Sequence, residues 1–266
     1  MEVNIIPKFV DEAASPLAQS VGNTLSDLWG LGIGSHVSLW AQKQQLRQQE
    51  NFKKYIELVG NKTQEVPEEF LKEPELHIVG PAIESSKYYI ESELLREMFA
   101  NLIASSIDSR KTNITHPSFV EVIKQLSPLD AQNLKSFGNR ANFPIVNYVH
   151  TIGSGRVNFH EDIFLENSLV TELQQISISM KNLERLGIVS ITYTESFPTE
   201  DYDKFYKNEE YLGWKEHFKK IIPRDQIPKE IPDNIKEVLI GQQDIIIEKG
   251  IVNLSSFGSS LKLACL

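Results

Sequence analysis

The sequence predicts a mainly α-helical protein with a small β component. An N-terminal helical region is followed by a C-terminal winged-helix-like module that has a long insertion in its wing. Two observations lead to this fold class. Apolar residues recur at helical spacing through the first half of the chain. The last third instead carries a helix, a strand, a long connection and a second strand, which is the order of a winged helix-turn-helix.

The composition is typical of a soluble globular protein with a sizeable core, since 41% of the 266 residues are hydrophobic and 24% are charged. A formal net charge of -9 disfavours non-specific binding to nucleic acid or anionic lipid. The chain has one cysteine, Cys265, and residues 1–11 do not resemble a secretory signal. We therefore expect a reducing, cytoplasmic environment.

The first predicted domain, residues 1–75, contains two helices, a glycine-rich hinge and a linker. Ser15 and Pro16 indicate a helix start, with serine as the cap and proline in the first turn. Three glycines, at positions 30, 32 and 34, should weaken or kink the apolar stretch that follows. A polar helix is predicted over about 38–59, and a charged linker over 61–75.

The second predicted domain, residues 76–168, forms the helical core. One wide apolar stripe includes Phe99 and Leu102 and predicts a buried helix over about 90–107. Further helix starts are predicted at Pro117 and Ser127. The segment 143–152 is predicted to be extended because it is rich in β-branched and aromatic residues. The segment 157–165 is ambiguous.

The third predicted domain, residues 169–266, is the winged-helix-like module. Ser177 is expected to cap a helix that Gly187 ends in a left-handed conformation. Strands are predicted over 188–193, 245–247 and 251–254, and an insertion of about 194–244 separates the first strand from the others. A last helix is predicted to begin at Ser255.

Four segments resemble the abortive infection alpha (Abi-alpha) family of bacterial proteins. They are ELLREMFANLIA at 93–104, HPSFVEVIKQLSPLDA at 116–131, NLERLGIV at 182–189 and LSSFG at 254–258. The resemblance implies a role in bacterial defence against phage, but no defined reaction, substrate or cofactor. Several residues of the second segment are therefore motif residues of unknown role: His116, Pro117, Ser127, Pro128 and Asp130.

We predict no catalytic, metal-binding or cofactor-binding residues. His160, Glu161 and Asp162 are sequence neighbours, so their side chains point in different directions and cannot all bind one metal ion. The glycine-rich stretch at 153–156 lacks the Gly-Lys-Ser/Thr end of a phosphate-binding loop. His116 is expected to pack at a helix junction. An enzyme whose site is assembled from scattered residues stays an open alternative.

The favoured function is that of an interaction protein that binds or senses another macromolecule. The insertion is rich in aromatic side chains, which are typical interface anchors when they are exposed. The predicted partner-binding residues are Tyr202, Phe205, Tyr206, Tyr211 and Trp214. We expect a protein partner, either derived from phage or a second copy of this chain. A small core that closes the insertion on itself is the alternative explanation.

Two other functions are open. Lys181 and Arg185 lie on the helix that would contact DNA in a winged helix, but Glu184 stands between them and the chain is acidic. A DNA-binding regulator is therefore an alternative. A membrane-active effector would use residues 17–40, which contain one charged residue but three glycines and many polar side chains. We favour a soluble helix pair joined by a glycine hinge for that stretch.

Overall fold

The computed structural model describes residues 8–9, 15–34, 46–152, 155–218, 227–232 and 243–266. Two compact units are present: the first comprises Met1–Lys135 and Ser256–Leu266, and the second comprises Ser136–Ser255. The fold is mainly helical with a small β component, as the sequence predicts, and the described strands form a four-stranded antiparallel sheet in the C-terminal part. The domain boundaries at 75 and 168 stay predictions.

The described part of the first unit is helical. Its longer helices are α1 (Pro16–Trp29), α2 (Leu46–Gln64), α3 (Leu76–Ser86), α4 (Glu93–Ser106), α5 (Ser118–Lys124), α6 (Pro128–Ser136) and α10 (Ser256–Cys265). Short 3-10 turns occur at Glu68–Phe70 and Ser109–Lys111. The predicted start of the polar helix lies at residues the structure does not describe, whereas its end at 59 was too early because α2 continues to Gln64.

Helix α1 begins as the sequence predicts. The Ser15 hydroxyl oxygen accepts a hydrogen bond from the backbone N–H of Ala18, and Pro16 occupies the first turn. The glycine-rich segment Gly30–Gly34 then forms a π-helical turn. A Cβ atom at Gly32 would lie 3.4 Å from Cγ2 of Ile83 on α3. The glycine therefore permits a close approach between two packed helices.

An aromatic cluster joins α1 to α2. The ring of Trp29 lies 5.6 Å from that of Phe52 and 5.4 Å from that of Tyr55, measured between centroids. Phe9 contacts the same indole at 5.5 Å. Trp29 and Tyr55 are completely buried. Burial of several large rings in one place supplies much of the apolar stabilisation of this end of the unit.

Helix α4 is the central helix of the first unit. Phe99 and Leu102 are fully buried, which confirms the predicted apolar stripe. Helix α10 packs against α4, and side chains of the α4 region hydrogen-bond to its last carbonyl groups. Asn101 donates to the carbonyl oxygen of Cys265 at 3.0 Å, and the Ser105 hydroxyl donates to that of Ala264 at 2.7 Å. These bonds satisfy acceptors that a helix C-terminus leaves unpaired.

The motif residues Ser127 and Asp130 form a reciprocal cap at the start of α6. The Ser127 hydroxyl accepts from the backbone N–H of Asp130 at 3.1 Å, and the Asp130 carboxylate accepts from the N–H of Ser127 at 2.7 Å. This is the capping box that the sequence predicts. Pro128 occupies the first turn, where its missing N–H costs nothing. The sequence signature in this motif is thus explained by helix initiation.

The second unit contains the sheet. Its elements are β1 (Asn142–Ile152), β2 (Gly155–Ile163), α7 (Leu173–Arg185), β3 (Val189–Thr192), α8 (Asp203–Tyr206), α9 (Glu209–Phe218) and β4 (Gln243–Leu254), with a 3-10 turn at Thr199–Tyr202. The strand order is β2-β1-β4-β3, and every neighbouring pair is antiparallel. The segment 157–165, which the sequence left ambiguous, contributes most of β2.

Two predictions for this unit were wrong in detail. Ser177 does not cap α7, because the helix begins four residues earlier and its buried stripe already includes Leu173 and Ile176. The two short strands predicted over 245–254 are one continuous strand, β4, which pairs with all of β1. Gly187, in contrast, has the predicted left-handed conformation with φ +71°.

Candidate protein-binding surface

The insertion between β3 and β4 packs against one face of the sheet. Tyr148 in β1 stacks on Tyr211 of α9 with centroids 5.1 Å apart, and its hydroxyl donates to the carbonyl of Phe205 at 3.0 Å. Two residues further along β1, and hence on the same face, His150 contacts the Phe218 ring at 4.2 Å. Helix α7 packs on β2 and β3. Because the aromatic side chains of the insertion pack on β1, the insertion is part of the fold of this unit.

Three of the five predicted partner-binding aromatics are buried in that packing. Tyr202 and Phe205 are completely buried, and Tyr211 is nearly so. The Tyr202 hydroxyl donates to the Gly250 carbonyl at 2.8 Å, and the Tyr211 hydroxyl points to the Ile245 carbonyl at 3.4 Å. Burial raises the pKa of both hydroxyl groups. Their role in this structure is to attach the insertion to β4.

The other two predicted residues, Tyr206 and Trp214, reach the surface. The side chain of Tyr206 is exposed, and Trp214 is half-buried. The Trp214 indole stacks on the imidazole of His160 with centroids 4.7 Å apart and planes inclined by 10°. Phe159 meets the same indole edge to face at 4.9 Å, and also approaches Phe218 at 5.9 Å. We call Phe159, His160, Trp214 and Phe218 the aromatic surface.

A β-bulge places Phe159 in this surface. His160 pairs with Tyr148, whereas Asn158 pairs with the next residue of β1, Val149, so Phe159 is an extra residue in β2. Bulges change the direction in which a strand presents its side chains. Phe159 is 40% exposed although it contacts two aromatic rings. The bulge thus leaves a large apolar side chain available to solvent on an edge strand.

Acidic charge borders the aromatic surface. Glu210 is exposed and precedes Trp214 by one helical turn on α9. Burial lowers the pKa of His160, and the negative charge of Glu210 opposes that shift, so the carboxylate lies within electrostatic range of the imidazole. The arrangement combines aromatic rings with a nearby negative charge, and it can accept apolar or cationic groups.

The predicted DNA-contact residues are engaged within the protein. The ammonium group of Lys181 lies 2.7 Å from Oδ2 of Asp162, and this hydrogen bond raises the pKa of the lysine. Arg185 donates to the side-chain oxygen of Asn182 within α7. Phosphate binding would have to compete with the Asp162 carboxylate for one of the two cations.

Asp162 is the centre of a buried polar cluster. It is the one non-glycine residue with positive φ, 54°, in the described ranges. Its backbone N–H donates to the side chain of Asn147, which in turn donates to Glu248. The Tyr193 hydroxyl donates to the carboxylate at 2.6 Å, and burial together with this carboxylate raises the tyrosine pKa. The Lys181 ammonium group lies beside Oδ2 of Asp162 and the Tyr193 hydroxyl donates to Oδ1, so we assign the cluster to holding α7 and β3 on the sheet.

The remaining motif residues, His116 and Pro117, lie at the start of α5. Nδ1 of His116 accepts from the backbone N–H of Ser118 at 3.1 Å, and its ring borders Phe119 and Phe257. Pro117 immediately precedes α5.

Cys265 is buried, which raises the pKa of its thiol. Within the ranges that the structure describes, no group of three or more metal-ligating side chains could hold a metal ion.

None of the described helices is both long enough and apolar enough to span a bilayer. Residues 35–40 of the proposed membrane segment 17–40 are not among the described residues.

The comparisons with known proteins give one family. The model of the family described as abortive infection alpha matches residues 47–265. The chain therefore belongs to the abortive infection alpha family, as its motifs had indicated. Neither the curated proteins nor the solved structures contain a match to it.

Sequence reasoning counted Phe218 among the aromatic residues of the insertion but missed Phe159 and His160 as surface residues. Phe159 and His160 come from β2, about fifty residues before Trp214 in the chain, and only the sheet brings them together. A signal was present, because Val157 and Phe159 alternate with polar residues as expected for a half-exposed strand.

Proposed function

We propose that this chain is a non-enzymatic component of abortive infection that binds another protein through the aromatic surface. The main support is the exposure of Phe159 beside the half-buried rings of Trp214 and Phe218. Clustered aromatic side chains at a surface are typical of protein interfaces, where tryptophan is often among the residues that contribute most to binding. Tyr206 is a further exposed aromatic residue, and it lies in the insertion that also contains Trp214 and Phe218.

The proposal places the protein in the bacterial cytoplasm. A single cysteine, which is buried and free, suits a reducing compartment. The partner would be a phage-derived protein or a second copy of this chain. Binding to it would be the event that signals infection or carries out the response.

We also propose that α7, β3 and β4 constitute a winged-helix-like unit adapted for protein contact. Support comes from the order of these elements and from the antiparallel pairing of Val189–Thr192 with β4. In this proposal the wing is replaced by the insertion, which carries Trp214. The pairing of Lys181 with Asp162 favours protein contact over DNA contact for this unit.

The proposal is tested by phage plating on bacteria that express the protein. We expect Phe159→Ser to restore plaque formation, because it removes the exposed ring while leaving the backbone of β2 intact. The matched control is Ile178→Ser on α7, which replaces an apolar residue that is 63% exposed and is not one of the aromatic surface residues. Thermal melting of both purified variants separates loss of binding from loss of folding.

A photo-crosslinking amino acid at position 159 supplies a second measurement. During infection it should form a covalent adduct with one protein, and the same amino acid at position 178 should not. Full protection by a folded Phe159→Ser variant, with no adduct specific to position 159, would show that the aromatic surface does not bind the partner.

A further inference from the structure

The negative charge beside the aromatic surface favours a positively charged partner. Resting on the proposed function, we propose that the partner contributes a basic polypeptide segment, whose arginine or lysine side chains contact the Trp214 ring and lie beside Glu210.

The Trp214 ring is held in a fixed orientation. His160 covers it in a parallel stack, and both Phe159 and Tyr148 meet it at steep interplanar angles of 87° and 70°. Trp214 as a residue is nevertheless only half-buried. Tryptophan is the most favourable aromatic partner for a cation, and an oriented ring loses little side-chain entropy when a ligand binds.

The acidic group beside this ring has no basic partner among the residues that the structure describes. The two lysines that are nearest to Glu210 in sequence form ion pairs with other residues. Lys207 pairs with Asp203 at 3.8 Å, and Lys215 pairs with Asp244 at 2.9 Å. Glu210 is exposed and forms no ion pair with either. A cation placed over Trp214 would therefore gain both an aromatic contact and an attractive carboxylate.

The acidic segment that leads into α9 favours the same partner. The segment 195–210 contains six acidic residues, and its two lysines already pair with Glu166 and Asp203. Nucleic acid and anionic lipid would be repelled by this segment, because both carry phosphate. A basic polypeptide is attracted, and charge complementarity of this kind raises association rates and suppresses wrong partners.

The test uses two synthetic decapeptides, one of alternating arginine and serine and one with citrulline in place of arginine. Citrulline keeps the shape of arginine and removes its charge. We titrate each into the full-length protein and follow binding by calorimetry. The arginine peptide should bind about tenfold more tightly than the citrulline peptide at low ionic strength, and added salt should reduce the difference.

Variants locate the binding site. Glu210→Gln and Trp214→Leu should each weaken binding of the arginine peptide by about fivefold to tenfold. Glu93→Gln is the matched control, since Glu93 is also an exposed acid in the first turn of a helix but lies in the other unit. Melting curves confirm that each variant is folded.

The outcomes separate this inference from the proposed function. Equal binding of the two peptides, an unaltered affinity in Glu210→Gln, or tighter binding of a duplex DNA oligonucleotide would overturn the basic partner. The proposed function would survive those results if Phe159→Ser still abolished protection and position 159 still formed its adduct. Normal protection by Phe159→Ser, with no such adduct, would instead refute the proposed function itself.

Discussion

The ammonium group of Lys181 lies 2.7 Å from the carboxylate of Asp162, a side chain that is only 1% exposed. The lysine reaches this buried acid from the solvent side of α7, and its own side chain stays 52% exposed. The pair links α7 to β2 at a second bulge of that strand, where Val146 pairs with Ile163 but Tyr148 pairs with His160. A buried carboxylate costs free energy unless charged and hydrogen-bonding groups compensate it.

Lys181→Met should therefore destabilise the protein. Methionine retains most of the aliphatic stem but leaves Asp162 with the Tyr193 hydroxyl as its main compensating side-chain partner. We expect a loss of about 1–3 kcal/mol, below the range for fully buried pairs because the lysine is half exposed. Urea denaturation measures it. Lys207→Met, which breaks an exposed pair, is the control and should change the free energy of unfolding by less than about 0.5 kcal/mol.

The pH dependence of the Lys181 contribution has a defined direction. Hydrogen bonding to Asp162 raises the lysine pKa above its ordinary value of 10.5. The contribution is therefore fully present below that ordinary value and is lost as the pH rises through the raised pKa. The stability difference between the wild type and Lys181→Met should be constant from pH 7 to about pH 9 and shrink at strongly alkaline pH. A difference that instead grew with rising alkalinity would contradict this assignment.

Two glycines in the second unit should respond oppositely to alanine. A Cβ atom at Gly250 would lie 2.6 Å from both the Thr192 carbonyl oxygen and the Tyr193 ring, so Gly250→Ala must displace β3 from β4. We expect a cost of about 1–3 kcal/mol. Gly213 in α9 has no neighbouring atom within 4 Å of such a Cβ, and Gly213→Ala should stabilise the helix by up to about 1 kcal/mol. Thermal melting decides both signs.

Local signals in the sequence predicted the local structure well. The caps at Ser15 and Ser127 and the left-handed glycine at 187 depend on neighbouring residues only, and all three are present. The prediction that Ser177 caps a helix was wrong because serine also occurs inside helices. The tertiary packing of Leu173 and Ile176 determines where this helix begins.

Long-range arrangement was not predictable from the same signals. The position of the insertion aromatics depends on Tyr148, which is more than fifty residues away in sequence and stacks on Tyr211. Without the sheet register, buried and exposed aromatics look alike. Composition therefore identified the insertion as important, but only the fold separates buried Phe205 from exposed Tyr206.

The glycine-rich turn after α1 gives a fourth prediction. The Cβ of alanine at position 32 would only touch Ile83, at 3.4 Å, whereas the two methyl groups of valine would reach further into α3. Gly32→Ala should be nearly neutral, and Gly32→Val should cost about 1–3 kcal/mol by overpacking. Chemical denaturation of the purified protein measures both changes. Equal stability of the two variants would mean that the close approach to α3 does not constrain this position.

His160 gives the last prediction, which concerns the aromatic surface directly. Burial lowers its pKa, so the native state favours the neutral imidazole that stacks on Trp214. The unfolded chain binds a proton at an ordinary value of about 6.5, and the stability that this site contributes is therefore present above pH 6.5 and lost as the pH falls below it. His160→Phe keeps a ring against Trp214 but cannot be protonated, so its melting temperature should fall less between pH 7.5 and 5.5 than that of the wild type. NMR titration of the imidazole provides the direct measurement: the His160 pKa should lie below 6.5 and decrease further in Glu210→Gln, because that variant removes the charge that favours protonation. A pKa that did not change in Glu210→Gln would show that the carboxylate is too far from the aromatic surface to attract a cation there.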